Sequence, residues 1–373
     1  MKDLLYTFEK DLDYHKYFKQ ENICFLDIET TGFSRNKNII YLIGIQYYNQ
    51  SINNWSIRQL FAESINEEKE ILLKFIELLS DFDKIITFNG DAFDLPFINS
   101  RLEILDIPYV LDKARSFDLY KIIKNNNAFL GLNSLKLESL EEYLGLYRKD
   151  LYSGKDCIGF YFDYINSLNK ESLEKIIQHN YDDLYYMIDI LKILDIIKDK
   201  KSFYIPHNGE NLNIFIESIK ILDDKLIACG IFPNPLDNEI IHYDMNFFFS
   251  LDINKRFKLS IDCSLGLISP TEKGYYIDKK NLVLAMDIID NTKHNLPSRF
   301  LLLKVENDYC IENIKNLIKV ISKEILRQYL VWPFPTLVSI SGKCFFTFLN
   351  FQNFTWIWAT FTFKSIDTIV FFI

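Results

Sequence analysis

Residues 22–29, NICFLDIE, are apolar at successive positions until the acids arrive. Successive side chains of a strand point to opposite faces. A run that is apolar at both parities therefore belongs to a strand covered on both sides, the interior of a layered sheet. After a polar turn, IIYLIGIQYY supplies a second strand and hairpin partner, and WSIRQLF a third candidate. NEEKEILLKFIELLSDF then spaces Ile71, Leu72, Phe75, Ile76 and Leu79 helically, with acids in its first turn. KIITFNG reads as a short strand closed by Asn-Gly, and DLPFINSRLEIL as the helix after it. Two short helical patterns fill 119–144, and one long amphipathic helix fills 171–200. Three strands followed by alternating strands and helices predict an α/β domain, a mixed five-stranded sheet flanked by helices.

This domain is expected over 21–200, after an N-terminal extension at 1–20. From about residue 203 to 330, strand-like runs such as KLSIDCSLGLIS and RFLLLKVENDYC precede one helical segment, predicting a smaller α+β domain without a chemical motif. Residues 331–373 change character abruptly, with Phe and Trp abundant and Lys343, Lys364 and Asp367 the only charges. Asn350, Gln352 and Asn353 make the stretch a poor membrane span, so an out-of-frame or otherwise non-native tail is preferred to an anchor. The formal net charge of −9 argues against coating nucleic acid through a broad basic face. Six scattered cysteines with no C-x-x-C pair indicate neither a zinc site nor a thioredoxin-like motif and suit a reducing, cytoplasmic setting. The first residues carry acids where a signal peptide needs an uninterrupted apolar stretch, so secretion is not expected.

Asp27 and Glu29 lie two apart on the predicted central strand and so share a face. Alone, they fit a strand that has simply ended in solvent. Asp94 opens a helix after the next strand, where an N-cap is the ordinary role. In His179-Asn180-Tyr181-Asp182-Asp183, about 100° per residue puts Asp183 inside the apolar arc of Leu173, Ile176, Leu184, Met187, Leu191 and Leu194. Asp182 and Asp189 project from the opposite side. An unpaired acid on a core-facing stripe needs a partner, and His179, one turn earlier, reaches the same region. Four carboxylates from three segments, if they converge, raise one another's pKa values unless cations bind. Two divalent ions roughly 4 Å apart would satisfy them and clamp the attacking and leaving oxygens of a phosphodiester.

FLDIETTGF, TFNGDAFDLPF and HNYDD, in that order, resemble the three exonuclease motifs of the DEDD superfamily, an RNase H-like fold, and more closely its YprB-like branch. The likeness extends through QLFAESINEEKEIL and LKLESLEEYLGLYRKDLYSGKD, from about residue 23 to 194. It implies that Asp27, Glu29, Asp94 and Asp183 bind two Mg2+ or Mn2+ ions. His179 would orient or deprotonate the attacking water, and nucleotides would leave a single-stranded 3′ end of DNA or RNA. His179 stands four residues before Asp183, the spacing of the tyrosine-using class with His substituted; Tyr185 and Asp189 repeat that spacing. Thr30, Phe33, Asn89 and Phe93 are the candidates for substrate contact. Phe33 either stacks on a base or packs beneath its own loop. Arg115, Lys121, Lys124, Lys136, Arg148, Lys149 and Lys155 form a locally basic interval, read as solvated surface in preference to a phosphate track. The alternatives to an exonuclease are a nucleic-acid-binding module with little turnover and a structure-selective endonuclease.

Overall fold

The computed structural model describes residues 1–148, 152–207, 209–233, 239–282, 294, 296–330, 336–340 and 343–347. The chain divides into two units, Met1–Lys201 and Ser202–Ile373. In the first, β1 (Lys2–Phe8), β2 (Ile23–Thr30), β3 (Ile40–Asn49), β4 (Asn54–Phe61), β5 (Lys84–Thr87) and β6 (Ser116–Asp118) form one sheet in the order β1-β4-β3-β2-β5-β6. β2 pairs antiparallel with β3 and parallel with β5, which in turn runs parallel to β6. The helices are α1 (His15–Phe18), α2 (Glu68–Leu79), α3 (Asp94–Ile104), α4 (Leu119–Asn125), α5 (Asn127–Leu130), α6 (Leu137–Tyr143), α7 (Gly154–Ser167), α8 (Lys170–Ile190) and α9 (Lys192–Lys201).

The two-sided apolar run of β2 is explained by its central place. Cys24, Leu26 and Ile28 enter one core with Leu72 and Phe75 of α2, Ile98 of α3 and Tyr161 of α7. Ile23 and Phe25 enter a second core with Leu119 of α4 and Leu184 and Met187 of α8. Residues 1–20 are more than an extension. Lys2–Phe8 pairs with Phe61–Trp55 and adds a sixth strand, with Leu4, Tyr6 and Phe8 turned inward. Three short helices, not two, occupy 119–144, and the expected long helix is interrupted at Leu191 between α8 and α9.

A buried ion pair joins the helices on the α2 side. Arg101 donates to both oxygens of Glu68 at 2.8 and 2.6 Å, while Glu68 Oε1 also accepts from the Ile40 N–H at 2.8 Å. The side chains are 8% and 3% exposed, so neither charge reaches water without its partner. Arg101→Met is expected to destabilise this unit by about 3–5 kcal/mol, because Glu68 is left buried and unpaired. The double variant Glu68→Leu/Arg101→Met should recover much of that loss in thermal melts. A single variant that melts with the wild type would remove the pair's stabilising role.

The second unit contains two antiparallel sheets. β7 (Ser202–His207), β8 (Glu210–Leu222), β9 (Lys225–Ile231), β10 (Ile240–Tyr243), β11 (Phe247–Leu251) and β12 (Arg256–Asp262) form one in the order β10-β11-β12-β9-β8-β7. β13 (Ser264–Leu267), β14 (Lys273–Asp278), β15 (Phe300–Val305) and β16 (Asp308–Tyr309) form the other, with α10 (Ile311–Leu330) against β15 and β7. Asp223 and Asp224, both at positive φ, make the two-residue turn of the β8–β9 hairpin. The strands Thr336–Ile340 and Lys343–Thr347 pair in the tail, whose remaining residues, and with them the question of a non-native segment, lie outside the described residues. Among the described residues, no helix is long and apolar enough to cross a membrane.

Candidate functional site

The period-two alternation that sends Ile23 and Phe25 into the α8-side core puts Asp27 and Glu29 on that same face, at the end of β2. β5 is parallel to β2, so the loop leaving it opens on the same edge and enters α3 at Asp94. α8 supplies His179, Asn180 and Asp183 from above. The close approach depends on Gly44 of β3, the partner of Asp27 across the sheet. A Cβ there would lie 2.2 Å from Asn180 Oδ1 and 2.5 Å from Leu184 Cδ1, so a larger residue would force α8 away. The β2–β3 register shifts between Glu29 and Thr30, a bulge of the kind that re-aims side chains.

Asn180 is fully buried; its Nδ2 donates to Asp27 Oδ2 at 2.7 Å and its Oδ1 accepts from Gln59 Nε2 at 2.8 Å. Asp94 Oδ1 accepts from the Ile28 N–H at 3.3 Å, tying the α3 entry to the central strand. His179 Nε2 lies 3.7 Å from Glu29 Oε1 and 3.8 Å from Asp183 Oδ2, both beyond hydrogen-bond length. One ligand atom from each of these three residues lies within 4.8 Å of the others. Asp27 and Asp94 stand outside that innermost trio but within electrostatic reach. Burial, then the charges of Asp183, Glu29 and Asp94, push the Asp27 carboxyl well above its ordinary range. Asp94 is pushed up to about 7, chiefly by burial, with the N–H groups of Asp94 and Ile28 pulling it back and Asp118 and Asp183 pushing further. Asp27 keeps a partly exposed edge even so. Carboxylates that oppose one another's ionisation, with an imidazole among them, fit a hard divalent cation, which takes oxygen ligands and would remove the repulsion.

Thr30 is held by its own loop and Asn89 by the end of β6. Thr30 Oγ1 donates to the Gly32 carbonyl at 3.0 Å, and Asn89, at φ 66°, donates its N–H to Asp118 at 3.0 Å. Phe33 is 88% exposed and meets the half-buried Phe93 edge-on at 6.2 Å, so it does not pack beneath its loop. Asp182 and Asp189 are buried, contrary to the simple two-faced helix. Asp182 accepts from Gln178, while Asp189 pairs with Lys10, just after β1, at 2.5 Å and with Lys192. Lys10 also lies 3.9 Å over the Tyr185 ring, so the Tyr185/Asp189 pair is engaged away from the acid cluster. In the basic interval Lys121, Lys124, Lys136 and Lys155 are exposed, as a solvated face requires, and the two arginines depart from it. Arg115 donates to the carbonyls of Leu79 and Phe82, and Arg148 is only 10% exposed, bound to Glu141 and Asp183. Lys149 lies outside the described residues. Asn180, Gly44, Asp118 and the Glu141–Arg148 pair were not singled out from the sequence; of these, the lone glycine in an apolar strand carried a readable signal of close approach.

Residues 24–195 match the family model described as the RNase H superfamily. Those residues form an RNase H-like domain. YprB from Bacillus subtilis is 25% identical to the chain over 182 residues, covering 47% of this chain and 42% of YprB. DNA polymerase 1 of Sulfurisphaera ohwakuensis is 24% identical over 165 residues, covering 35% of this chain and 18% of the polymerase. The chain thus spans less than half the length of either relative. The structure of the family B DNA polymerase from Pyrobaculum calidifontis aligns with 48% of this chain and 25% of its own at 15% identity, with a TM-score of 0.37. In the RNase H-like domain the acid cluster lies at the strand ends, within the matched segment.

Proposed function

We propose that the RNase H-like domain is a 3′–5′ exonuclease that hydrolyses phosphodiester bonds with two divalent ions, Mg2+ or Mn2+, held by Asp27, Glu29, Asp94 and Asp183. The observation that carries this reading is the meeting of these acids and His179, from β2, α3 and α8, at one edge of the sheet. When bound, the ions would lower the pKa of the attacking water and stabilise charge developing on the phosphate oxygens. The protein groups have separate tasks. Asn180 fixes the orientation of Asp27, and the Ile28 N–H fixes that of Asp94. In this reading His179, whose Nε2 lies between Glu29 and Asp183, takes a proton from the attacking water. The exposed Phe33, backed by Phe93, offers a face on which a terminal base can stack. The polymerase among the relatives favours a nucleic-acid substrate.

The test uses single strands of DNA and RNA labelled at the 5′ end, incubated with the full chain in Mg2+, Mn2+ or EDTA. The expected result is stepwise shortening from the 3′ end in metal and none in EDTA, with a rate loss of about 10²–10⁴-fold in His179→Ala. Internal fragments from a strand blocked at its 3′ end would favour an endonuclease instead. Absence of cleavage under either ion, with the protein folded, would overturn the reading.

A further inference from the structure

We infer that Glu141 and Arg148 form a clamp that sets the orientation of Asp183, holding its Oδ1 and presenting its Oδ2 to the acid cluster. This rests on the metal-site reading above. Arg148 Nε and Nη2 each donate to a different oxygen of Glu141 at 2.6 Å, and Nη1 donates to Asp183 Oδ1 at 2.5 Å. Asp183 Oδ2 is the oxygen near His179. The carboxylate is therefore divided, one oxygen to the guanidinium and one to the cluster. A lone arginine beside Asp183 would compete with a cation. Here Glu141, 1% exposed, takes two of the donors, neutralises the guanidinium and immobilises it, so that the pair orients Asp183 without adding net charge to the site. The local chain is built for this. α6 ends with the Gly145 N–H on the Glu142 carbonyl and the Leu146 N–H on the Glu141 carbonyl, with Gly145 at φ 75°. That reversal returns Arg148 over Glu141, and the Tyr186 hydroxyl of α8 holds the Tyr147 carbonyl at 3.2 Å. Arg148 and Glu141 are thus positioning residues, acting through Asp183.

Arg148→Ala alone would leave Glu141 buried and unpaired and risks unfolding. The decisive variant is therefore Glu141→Gln/Arg148→Ala, which removes both charges, with Arg148→Lys beside it. Mn2+ affinity of the full chain is measured by calorimetry, with a melt on each sample to establish folding. Because partners behind a ligand typically govern metal affinity by about 10–100-fold, the folded double variant should bind Mn2+ that much more weakly. Arg148→Lys should recover little, since one ammonium cannot hold both oxygens of Glu141 and Asp183 in that planar geometry. Mn2+ affinity in the folded double variant within about twofold of wild type, or tighter, overturns the clamp while leaving the metal-site reading intact. A wild-type protein that binds no Mn2+ overturns that reading and the clamp with it.

Discussion

Asp27→Asn should nearly abolish metal-dependent cleavage and, in the same preparation, raise the melting temperature of the metal-free protein. The two effects share one cause. The Asp27 carboxyl is forced upward in pKa by burial and by Asp183, Glu29 and Asp94, so ionising it in the folded protein is costly until a cation compensates. Asparagine keeps the shape and can still meet Asn180, but it carries no charge to repel its neighbours. It is also a poor ligand for a hard cation in place of a carboxylate. Charge stabilisation by a bound ion supplies several kcal/mol to such reactions, so the expected loss in kcat is on the order of 10³-fold or more. The metal-free gain should be about 0.5–2 kcal/mol, several degrees in Tm, as when other functional strain is removed. Thermal melts in EDTA and single-turnover assays in Mn2+ measure the two sides. A variant that cleaves at the wild-type rate, or melts lower without metal, contradicts the account.

What the sequence discloses here follows from how local each determinant is. β2 is legible because its own eight residues carry the two-sided apolar pattern and the parity that puts Asp27 and Glu29 together. The choice of Asp183 over Asp189 follows from helical phase, which needs only α8. β1 is less visible. As an edge strand it buries only alternate side chains, and exposed Leu5 blurs the alternation of Leu4, Tyr6 and Phe8. The burial of Asp189 depends on Lys10, 179 residues away, which no periodicity within α8 can announce. Arg148 gives the same lesson in a site residue. The described lysines of its basic interval are solvated surface, and only the α6 reversal, which brings Glu141 and Asp183 to one guanidinium, makes Arg148 part of the interior. Gly44 is intermediate, since its meaning as the point where α8 touches the sheet requires knowing which helix arrives.

The metal-free protein should lose stability as pH rises from about 5 to 7, and added Mn2+ should restore progressively more of it across that same range. Asp94 carries the sign of the effect. Its folded pKa of about 7 lies above the ordinary 3.8, so at intermediate pH the folded state holds a proton that the unfolded chain has released. Its contribution is complete below 3.8, declines as pH rises, and is gone above about 7. For a buried carboxyl this amounts to something on the order of 4 kcal/mol, and Asp27 acts in the same direction. Asp3, held low by Arg58, and Glu63, held low by Lys2, behave oppositely, but their loss comes as pH falls through their depressed values, below this window. Cation binding needs the ionised site and therefore releases the very protons that favour the metal-free fold, so the metal-dependent rise in Tm must grow with pH. Asp94→Asn should flatten the EDTA curve and shrink the Mn2+ increment together. Melts from pH 5 to 8 with and without Mn2+ decide it: an increment that stays constant with pH, or an unchanged curve in Asp94→Asn, means that protons and cation do not compete for these carboxylates.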